Sequence, residues 1–208
     1  EPTMKQPNNR DRILKASVEL FNQSGVVAVT TNHIAEHLKI SPGNLYFHFR
    51  NKEEIIRELY TQMSRQVFEA WEQREESLSS PLKLLERSYE AFFNFRFFHR
   101  EMYHLRRRDP ELAKLWKKHL QKTMRLLVAT YKHWVKNGIM KPILDPKEMQ
   151  MISDLVLITS SAFLQFYESP EKPATRREVK HGVQHIARLL LPYHTEAHQG
   201  EILKYLNS

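Results

Sequence analysis

Apolar residues recur at intervals of three and four positions along almost the whole chain, and no sustained alternation of apolar and polar residues is present. The three-to-four spacing places apolar side chains on one face of an α-helix, whereas alternation is the pattern of a half-buried strand. Only five glycines occur in 208 residues, which is few for a β-fold with many turns. The pattern therefore predicts an all-α protein.

Cap and stop residues set the boundaries of the predicted helices. Ser41-Pro42, Asp109-Pro110 and Asp145-Pro146 each offer an N-cap side chain followed by proline at the first helical position, where the missing N–H costs nothing. Gly25 and Gly138 are stop signals. These signals predict helices at about 9–23, 32–38, 42–47, 51–76, 81–98, 101–108, 110–137, 146–168, 176–191 and 195–206.

The two short helices between residues 30 and 49 predict a helix-turn-helix. Ile34 and Ala35 form the inward face of the first of these helices, and Leu45 and Phe49 complete the core from the second. The outward positions of the second helix are then Ser41, Pro42, Gly43, Asn44, Tyr46, Phe47 and His48. Two large aromatic residues and no acid on so short a surface favour a DNA reader over a merely solvated face.

The same segment contains a competing motif, because His33, Glu36 and His37 form H-x-x-E-H. This pattern occurs in zinc hydrolases, which also need a third protein ligand and an acid that activates water. The helix is short, no obvious downstream carboxylate completes a site, and eleven histidines make a chance match easy. A zinc hydrolase is therefore the remote alternative, and we predict no catalytic residues, no metal and no cofactor.

The motifs of the N-terminal region resemble the TetR family of transcriptional regulators. The similar segments are Thr30-Thr31-x-x-Ile34-Ala35 and Ser41-Pro42-Gly43-Asn44-Leu45-Tyr46-Phe47-His48-Phe49-x-x-Lys52-Glu53, together with Ile13-Leu14-x-Ala16 and Leu20-Phe21-x-x-x-Gly25 in the first helix. The resemblance covers about residues 9–60. It implies a three-helix DNA-binding domain, which we place at residues 1–52, followed by a helical effector-binding and dimerisation domain at residues 53–208.

The resemblance also implies residue roles and partners. Thr30 and Thr31 resemble a phosphate contact, Gly43 and Asn44 resemble base-reading positions, and Tyr46, His48 and Lys52 resemble further phosphate contacts. Phe47 stands where the family often has tyrosine or histidine, and it is suited to a thymine methyl group rather than to a hydrogen bond. The predicted DNA-binding set is Thr30, Thr31, Ser41, Gly43, Asn44, Tyr46, Phe47, His48 and Lys52. Two such heads in a homodimer would read a pseudo-palindromic double-stranded DNA operator.

Charge and aromatic residues in the middle of the chain predict an effector site. The net charge is +8, and residues 96–141 carry thirteen lysines and arginines against three acids, compared with eight against six in residues 1–57. A solvated helix face is the ordinary interpretation of such a run. The phenylalanines between residues 92 and 98 stand beside arginines, which favours an apolar pocket for an apolar anion, with core packing and contact to DNA phosphate as alternatives. The predicted lining is Phe92, Phe93, Arg96, Phe97, Arg100, Tyr103, His104, Trp116, Met124 and Tyr131.

The last two long helices are apolar on more than one side, and the resemblance implies that they pair with the partner's copies. The predicted dimer interface is Leu155, Ile158, Phe163, Val183, Ile186 and Leu190, with an intrachain core as the alternative. The chain has no cysteine, and no uncharged apolar run approaches the roughly 20 residues of a membrane span. We therefore expect a cytoplasmic protein without a membrane partner.

Together these patterns predict a ligand-responsive regulator, a repressor released from its operator by a small amphipathic molecule. An activator or a constitutive DNA-binding protein without a small-molecule ligand is the alternative. An enzyme is not expected, since the chain shows no set of nucleophile, base and orienting residue.

Overall fold

The computed structural model describes residues 8–72, 80–169 and 172–207. In these ranges the chain forms ten α-helices, a 3-10 helix at Leu191–Tyr193 and two isolated bridges, but no strand. The helices are α1 (Asn9–Ala28), α2 (Thr31–Leu38), α3 (Pro42–His48), α4 (Lys52–Glu72), α5 (Pro81–Asn94), α6 (Phe97–Arg108), α7 (Pro110–Lys136), α8 (Pro146–Tyr167), α9 (Arg176–Leu190) and α10 (Glu196–Leu206). The all-α prediction is confirmed.

The predicted N-caps explain why three helices begin where they do. The Ser41 hydroxyl accepts a hydrogen bond from the Asn44 amide at 3.2 Å, and the Asp145 carboxylate accepts one from Lys147 at 2.9 Å. Asp109 likewise accepts bonds from the first amides of α7. These side chains pair with backbone donors that a helix N-terminus leaves without partners. The predicted end of α4 at about residue 76 lies outside the described ranges.

The predicted helix over 81–98 is wrong, because the chain breaks at residues 95–96 between α5 and α6. The buried side chain of Asn22 in α1 stabilises the break. Its amide nitrogen donates to the carbonyl of Asn94 at 2.8 Å, and its oxygen accepts from the amide of Phe97 at 3.1 Å. The Asn22 side chain thus pairs with a backbone carbonyl at the end of α5 and with a backbone amide at the start of α6. The phenylalanines of this region are therefore divided between two helices instead of covering one.

Gly25 interrupts α1, as the sequence predicts, although the helix resumes and continues to Ala28. Its φ of 79° lies in the left-handed region that favours glycine. The amide of Val26 just after it donates to the Glu101 carboxylate of α6 at 2.9 Å. A Cβ atom at Gly25 would lie 3.1 Å from that carboxylate oxygen, so the position also allows a close approach of α6.

The helices group into two compact units. The first contains residues up to Ser64 together with Asn94–Trp116, and the second contains Arg65–Phe93 and Lys117–Ser208. Helix α6 therefore belongs to the same unit as the predicted helix-turn-helix. The functional boundary at residue 52 stays a prediction, since the units are defined by contacts alone.

The second unit has its core where α5, α8 and α9 meet. The ring centroids of Tyr89 and Phe163 lie 4.5 Å apart, and Val183 and Ile186 are fully buried beside them. Gly182 permits this packing, because a Cβ atom there would lie 2.3 Å from the Tyr89 ring and 2.6 Å from the Phe163 ring.

Four residues predicted for the dimer interface belong to this intrachain core. Phe163, Val183, Ile186 and Leu190 are at most 9% exposed within the single chain. Since they leave almost no surface for a partner to cover, they pack α8 and α9 together instead. Leu155 and Ile158 remain as the predicted interface residues, with 40% and 61% of their surface exposed.

Helix α8 is less buried than its sequence leads one to expect. By length and composition it is the one helix in the described ranges that could cross a membrane, with a mean hydropathy of 1.2, and only 28% of its most apolar window is buried. One such helix is weak evidence for a membrane span, because a core or interface helix has the same composition. Met151, Leu155, Ile158 and Phe166 of α8 are exposed in the single chain, whereas Ile152, Val156, Phe163 and Leu164 are buried.

The buried side chain of His119 in α7 should make the protein less stable in acid. Its ring lies 4.8 Å from that of Phe68, and burial, aided by the nearby Lys122 ammonium, lowers the pKa of His119 to about 4. Because this folded-state pKa lies below the ordinary value of 6.5, the unfolded chain binds the proton more readily. The resulting stability is complete above about pH 6.5 and is lost as the pH falls towards about 4.

Between pH 7.5 and pH 4.5 the free energy of unfolding should decrease in the wild type and in His119→Gln. The decrease should be about 2 kcal/mol smaller in His119→Gln. Urea unfolding at both pH values measures this difference within each protein, so a uniform effect of the substitution cancels. His133→Gln, at an exposed position of the same helix, is the control. Equal acid sensitivity of His119→Gln and the wild type would contradict the role of His119.

Candidate nucleic-acid interface

The core of the predicted helix-turn-helix forms as the sequence indicates. Ile34, Ala35, Leu45 and Phe49 are each at most 2% exposed. In the turn, Lys39 adopts a left-handed conformation with φ 55° and its amide bonds to carbonyls of α2. This closes α2 tightly and directs the chain into α3.

The outward face of α3 carries aromatic and amide groups and no carboxylate. Phe47 is 84% exposed and Tyr46 is 48% exposed. Ser41 and Gly43 are also exposed, while Asn44 and His48 are half-buried. Two neighbouring aromatic side chains exposed on so short a helix give this face the composition of a contact surface.

Two predicted phosphate contacts lie together at the start of α2. The Thr31 hydroxyl and the Tyr46 hydroxyl are 2.9 Å apart and share a hydrogen bond. The neighbouring Thr30 hydroxyl accepts from the His33 amide at 3.2 Å and keeps its own proton for donation. The structure thus brings Thr30, Thr31 and Tyr46 to one end of α2, where a helix N-terminus favours an anion.

The histidines of the H-x-x-E-H pattern have local partners. His33 Nδ1 accepts the amide of Thr30 at 3.3 Å and completes a capping box. His37 Nε2 lies 3.8 Å from the Glu19 carboxylate on α1. Across the part of the chain that the structure describes, no group of three histidine, aspartate or glutamate side chains is placed to hold a metal ion. His33 therefore serves as a cap of α2.

Lys52 has a structural partner that the sequence did not reveal. Its ammonium donates to the carbonyls of Val26 and Val29 at 2.7 and 2.9 Å. These carbonyls end α1, so Lys52 caps that helix. Two of its three donors are occupied in this way, and its predicted phosphate contact competes with the cap.

Asn44 is held by a polar chain that begins in α1. The Asn9 amide nitrogen donates to Asn44 Oδ1 at 3.1 Å, and Asn9 Oδ1 accepts from the Arg12 guanidinium at 2.7 Å. Arg12 also donates to the carbonyl of Leu38 at 3.3 Å. Sequence reasoning missed Asn9 and Arg12. The only available signal was a pair of polar positions three residues apart at the start of an amphipathic helix.

The far end of α1 is held by three side chains that we call the α1 clamp, namely Asn22, Arg100 and Glu101. Arg100 of α6 donates to the carbonyls of Asn22 and Phe21 at 2.7 and 3.2 Å. The Phe21 and Phe97 rings pack edge to face beside it at 5.3 Å. The clamp therefore fixes α6 onto the helix that supports the helix-turn-helix.

The residues predicted to line an effector pocket are divided between the two units. Phe97 is fully buried in the first unit and Arg100 belongs to the clamp. Arg96, Tyr103, His104 and Trp116 also belong to the first unit. There the Arg106 guanidinium covers the ring of Trp116 at 4.0 Å and lies 5.6 Å from that of Tyr103.

Four predicted pocket residues belong to the second unit. Phe92, Phe93 and Tyr131 pack against its core cluster, and the Tyr131 hydroxyl accepts from the amide of Ile143. Met124 instead lines an open groove of about 430 Å³ along α7. The predicted pocket residues are thus divided between the first unit, the core cluster of the second unit and the α7 groove.

The α7 groove is formed mainly by residues that sequence reasoning did not select. Its lining is Met124, Arg125, Val128, Ala129 and Lys132. Their spacing of three and four residues is the available signal, but it does not distinguish a groove from a core-facing stripe. The groove is open to solvent along one helix, and it combines apolar side chains with two cations.

Comparisons with known proteins agree with this arrangement. Residues 13–59 match the model for bacterial regulatory proteins of the tetR family, and residues 59–202 match the TetR model for a bacterial transcriptional repressor. The chain is 32% identical over 92 residues to the transcriptional repressor KstR2 of Mycolicibacterium smegmatis, a match that covers 44% of this chain and 45% of that protein. It is 23% identical over 171 residues to the regulator YhgD of Bacillus subtilis, covering 80% and 88%.

Solved structures show the same fold. A TetR-family transcriptional regulator from Marinobacter aquaeolei is 30% identical, with 98% of each chain covered and a TM-score of 0.85. The ketosteroid regulator KstR2 of Mycobacterium tuberculosis has a TM-score of 0.65 at 21% identity, with 92% of this chain and 98% of that chain covered, which supports the fold alone. From the two family matches and these likenesses, the chain belongs to the TetR family of transcriptional regulators.

Proposed function

We propose that this regulator is a cytoplasmic repressor that binds a pseudo-palindromic operator as a homodimer and is released by a small apolar anion. The DNA-binding part of this proposal rests on the outward face of α3, which has no carboxylate. Tyr46 and Phe47 are exposed on this face, and buried Leu45 holds the helix in place. The description of the matched family model as a bacterial transcriptional repressor supports the direction of regulation.

In the proposed complex α3 enters the major groove with its N-terminal residues towards the base edges. Gly43 and Asn44 face the bases, and Phe47 packs against thymine methyl groups. The bonded pair of Thr31 and Tyr46 contacts phosphate as one unit. Thr30, Ser41 and His48 are the further polar contacts to the backbone.

The proposed dimer is built on α8. Leu155, Ile158 and Met151 are exposed along the helix, and Phe166 near its end is 82% exposed. Their spacing of three, four and eight residues places them on one side of a helix. A symmetric pair of such faces buries apolar surface at about 25 cal/mol per Å². The small positive charge excess of residues 1–57 gives each head only a weak attraction to DNA. A dimer strengthens the binding because its two heads bind two half-sites together.

The proposed effector site is the α7 groove, which replaces the predicted pocket between the phenylalanines and Arg100. Met124, Val128 and Ala129 supply apolar surface, and Arg125 and Lys132 supply charge for an anionic head group. Each buried methylene contributes about 0.8 kcal/mol, so the tail sets affinity and the head sets selectivity. Binding releases DNA only if it favours one arrangement of the heads over another.

The DNA-binding proposal predicts selection of a symmetric sequence. Repeated selection from random duplexes should enrich two inverted half-sites. Tyr46→Phe keeps the ring and removes the hydroxyl that bonds to Thr31, so binding to selected and random duplexes should weaken alike, by about three- to tenfold. Tyr103→Phe, at an exposed tyrosine of α6, should bind as the wild type does. Failure to enrich any sequence would contradict the proposal.

The dimer proposal predicts a change of assembly on charging α8. Ile158→Glu places a carboxylate in the proposed interface, so sedimentation velocity at micromolar concentration should change from dimer to folded monomer. Leu144→Glu, at an apolar side chain that is 87% exposed outside α8, should stay dimeric. A dimer that persists in Ile158→Glu would place the interface elsewhere.

The effector proposal predicts that fatty acids release the operator more strongly as their chains lengthen, and that the matching alcohols act weakly. In the double variant Arg125→Gln with Lys132→Gln, acids and alcohols should become equal, because the groove loses its charge. Titration of the protein–DNA complex measures both series, with Lys118→Gln with Lys136→Gln on the exposed surface of α7 as the charge-matched control. Release unaffected by the groove variant would remove the groove from the mechanism, and no release by any compound would favour the constitutive DNA-binding alternative.

A further inference from the structure

We propose that Asn9 determines which base Asn44 selects, because it fixes which end of the Asn44 amide faces the DNA. The inference rests on the proposed function of α3 as the DNA reader. Asn9 lies in the first turn of α1, before residue 13 where the match to the tetR family model begins, and its partner Asn44 lies 35 positions away in the sequence.

The orientation of Asn9 follows from the chemistry of Arg12. A guanidinium has five N–H donors and no acceptor. The Arg12 guanidinium lies 2.7 Å from Asn9 on one side and donates to the Leu38 carbonyl on the other. The atom of Asn9 that faces Arg12 therefore has to be its oxygen, and the amide nitrogen of Asn9 has to face Asn44.

The orientation of Asn44 follows from that of Asn9. Since the amide nitrogen of Asn9 donates a hydrogen bond over 3.1 Å, the atom of Asn44 that accepts it has to be the carbonyl oxygen. The NH₂ group of Asn44 then lies on the opposite side of the same amide. The backbone of Asn44 is held as well, because its amide donates to the Ser41 hydroxyl at 3.2 Å.

This polarity has a consequence for base recognition. An asparagine that is free to turn its amide can offer a donor or an acceptor, and it then pairs well with adenine through both. With its oxygen held by Asn9, Asn44 presents mainly donors. In the major groove guanine offers two adjacent acceptors, N7 and O6, whereas adenine places an N–H₂ donor beside its N7 and cytosine offers a donor. The geometry therefore favours guanine at the position that Asn44 reads.

The substitution Asn9→Asp tests this polarity directly. Aspartate has nearly the shape of asparagine and offers only acceptors, so one oxygen still pairs with Arg12 and the other now requires a donor from Asn44. The Asn44 amide should turn over and present its oxygen to the DNA. The new carboxylate lies in the first turn of α1, where the helix dipole favours it, so the fold should be retained.

The experiment compares operator sequences selected from random duplexes by the wild type, Asn9→Asp, Asn9→Ala and Asn44→Ala. The position whose preference disappears in Asn44→Ala is the one that Asn44 reads. There the wild type should prefer guanine by roughly tenfold, Asn9→Asp should prefer adenine or cytosine, and Asn9→Ala should lose most of its discrimination. Gln23→Glu, at an exposed site of the same helix, controls for the added charge and should select the wild-type sequence.

Two results would overturn the inference while leaving operator binding by α3 intact. One is an unchanged base preference in Asn9→Asp at the position that Asn44 reads. The other is a consensus in which no position depends on Asn44. Thermal melting of each variant confirms that it is folded before selection. The absence of any consensus from the wild type would overturn the proposed function itself, so the two failures are distinguishable.

Discussion

The packing of the first unit depends on the hydrogen bonds that pair backbone groups near the interrupted C-terminal end of α1. Helix ends leave amides and carbonyls without partners, and burying them unpaired costs about 1–3 kcal/mol for each group. Here the Asn22 side chain pairs with the last carbonyl of α5 and the first amide of α6. Arg100 takes two carbonyls of α1, and Glu101 takes the amide that follows Gly25. The α1 clamp therefore explains why α6 lies in the same compact unit as the helix-turn-helix.

Helix α1 has a polar attachment at each end. At its C-terminal end the clamp fixes it to α6, and Lys52 caps its last carbonyls from α4. At its N-terminal end Asn9 bonds to Asn44 of α3. Between them, Ile13 and Phe21 are fully buried. We infer that α1 acts as a rigid support whose position, set at α6, determines how α3 is presented to DNA.

Local patterns were enough to predict the helix-turn-helix. The spacing of Ile34, Ala35, Leu45 and Phe49 gave its core, and subtraction of these positions gave the exposed face of α3. Ser41 gave the start of α3, because capping depends on residues within one turn of each other. The same reasoning gave the starts of α7 and α8. All of these features are short-range, so one sequence contains the information for them.

The features that were missed depend on polar contacts between distant residues. Asn22 and Phe97 are 75 positions apart, and nothing in the sequence around residues 95–96 indicates that a helix breaks there. The predicted effector residues are divided for the same reason, because neighbours such as Phe93 and Phe97 lie on separate helices. In α8 and α9 the apolar periodicity was correct, but periodicity cannot show whether a face such as that of Val183 packs within the chain or against a partner.

The affinity of the Arg100→Met protein for the operator tests most directly whether the α1 clamp positions α3, the proposed DNA reader. Methionine keeps much of the apolar stem of arginine and removes the hydrogen bonds to the α1 carbonyls. The account predicts a loss of affinity of about tenfold, with the selected sequence unchanged because α3 keeps its side chains. Arg107→Met, at an exposed position of the same helix, should bind as tightly as the wild type. Wild-type affinity in a folded Arg100→Met protein would contradict the account and reduce the clamp to a packing contact.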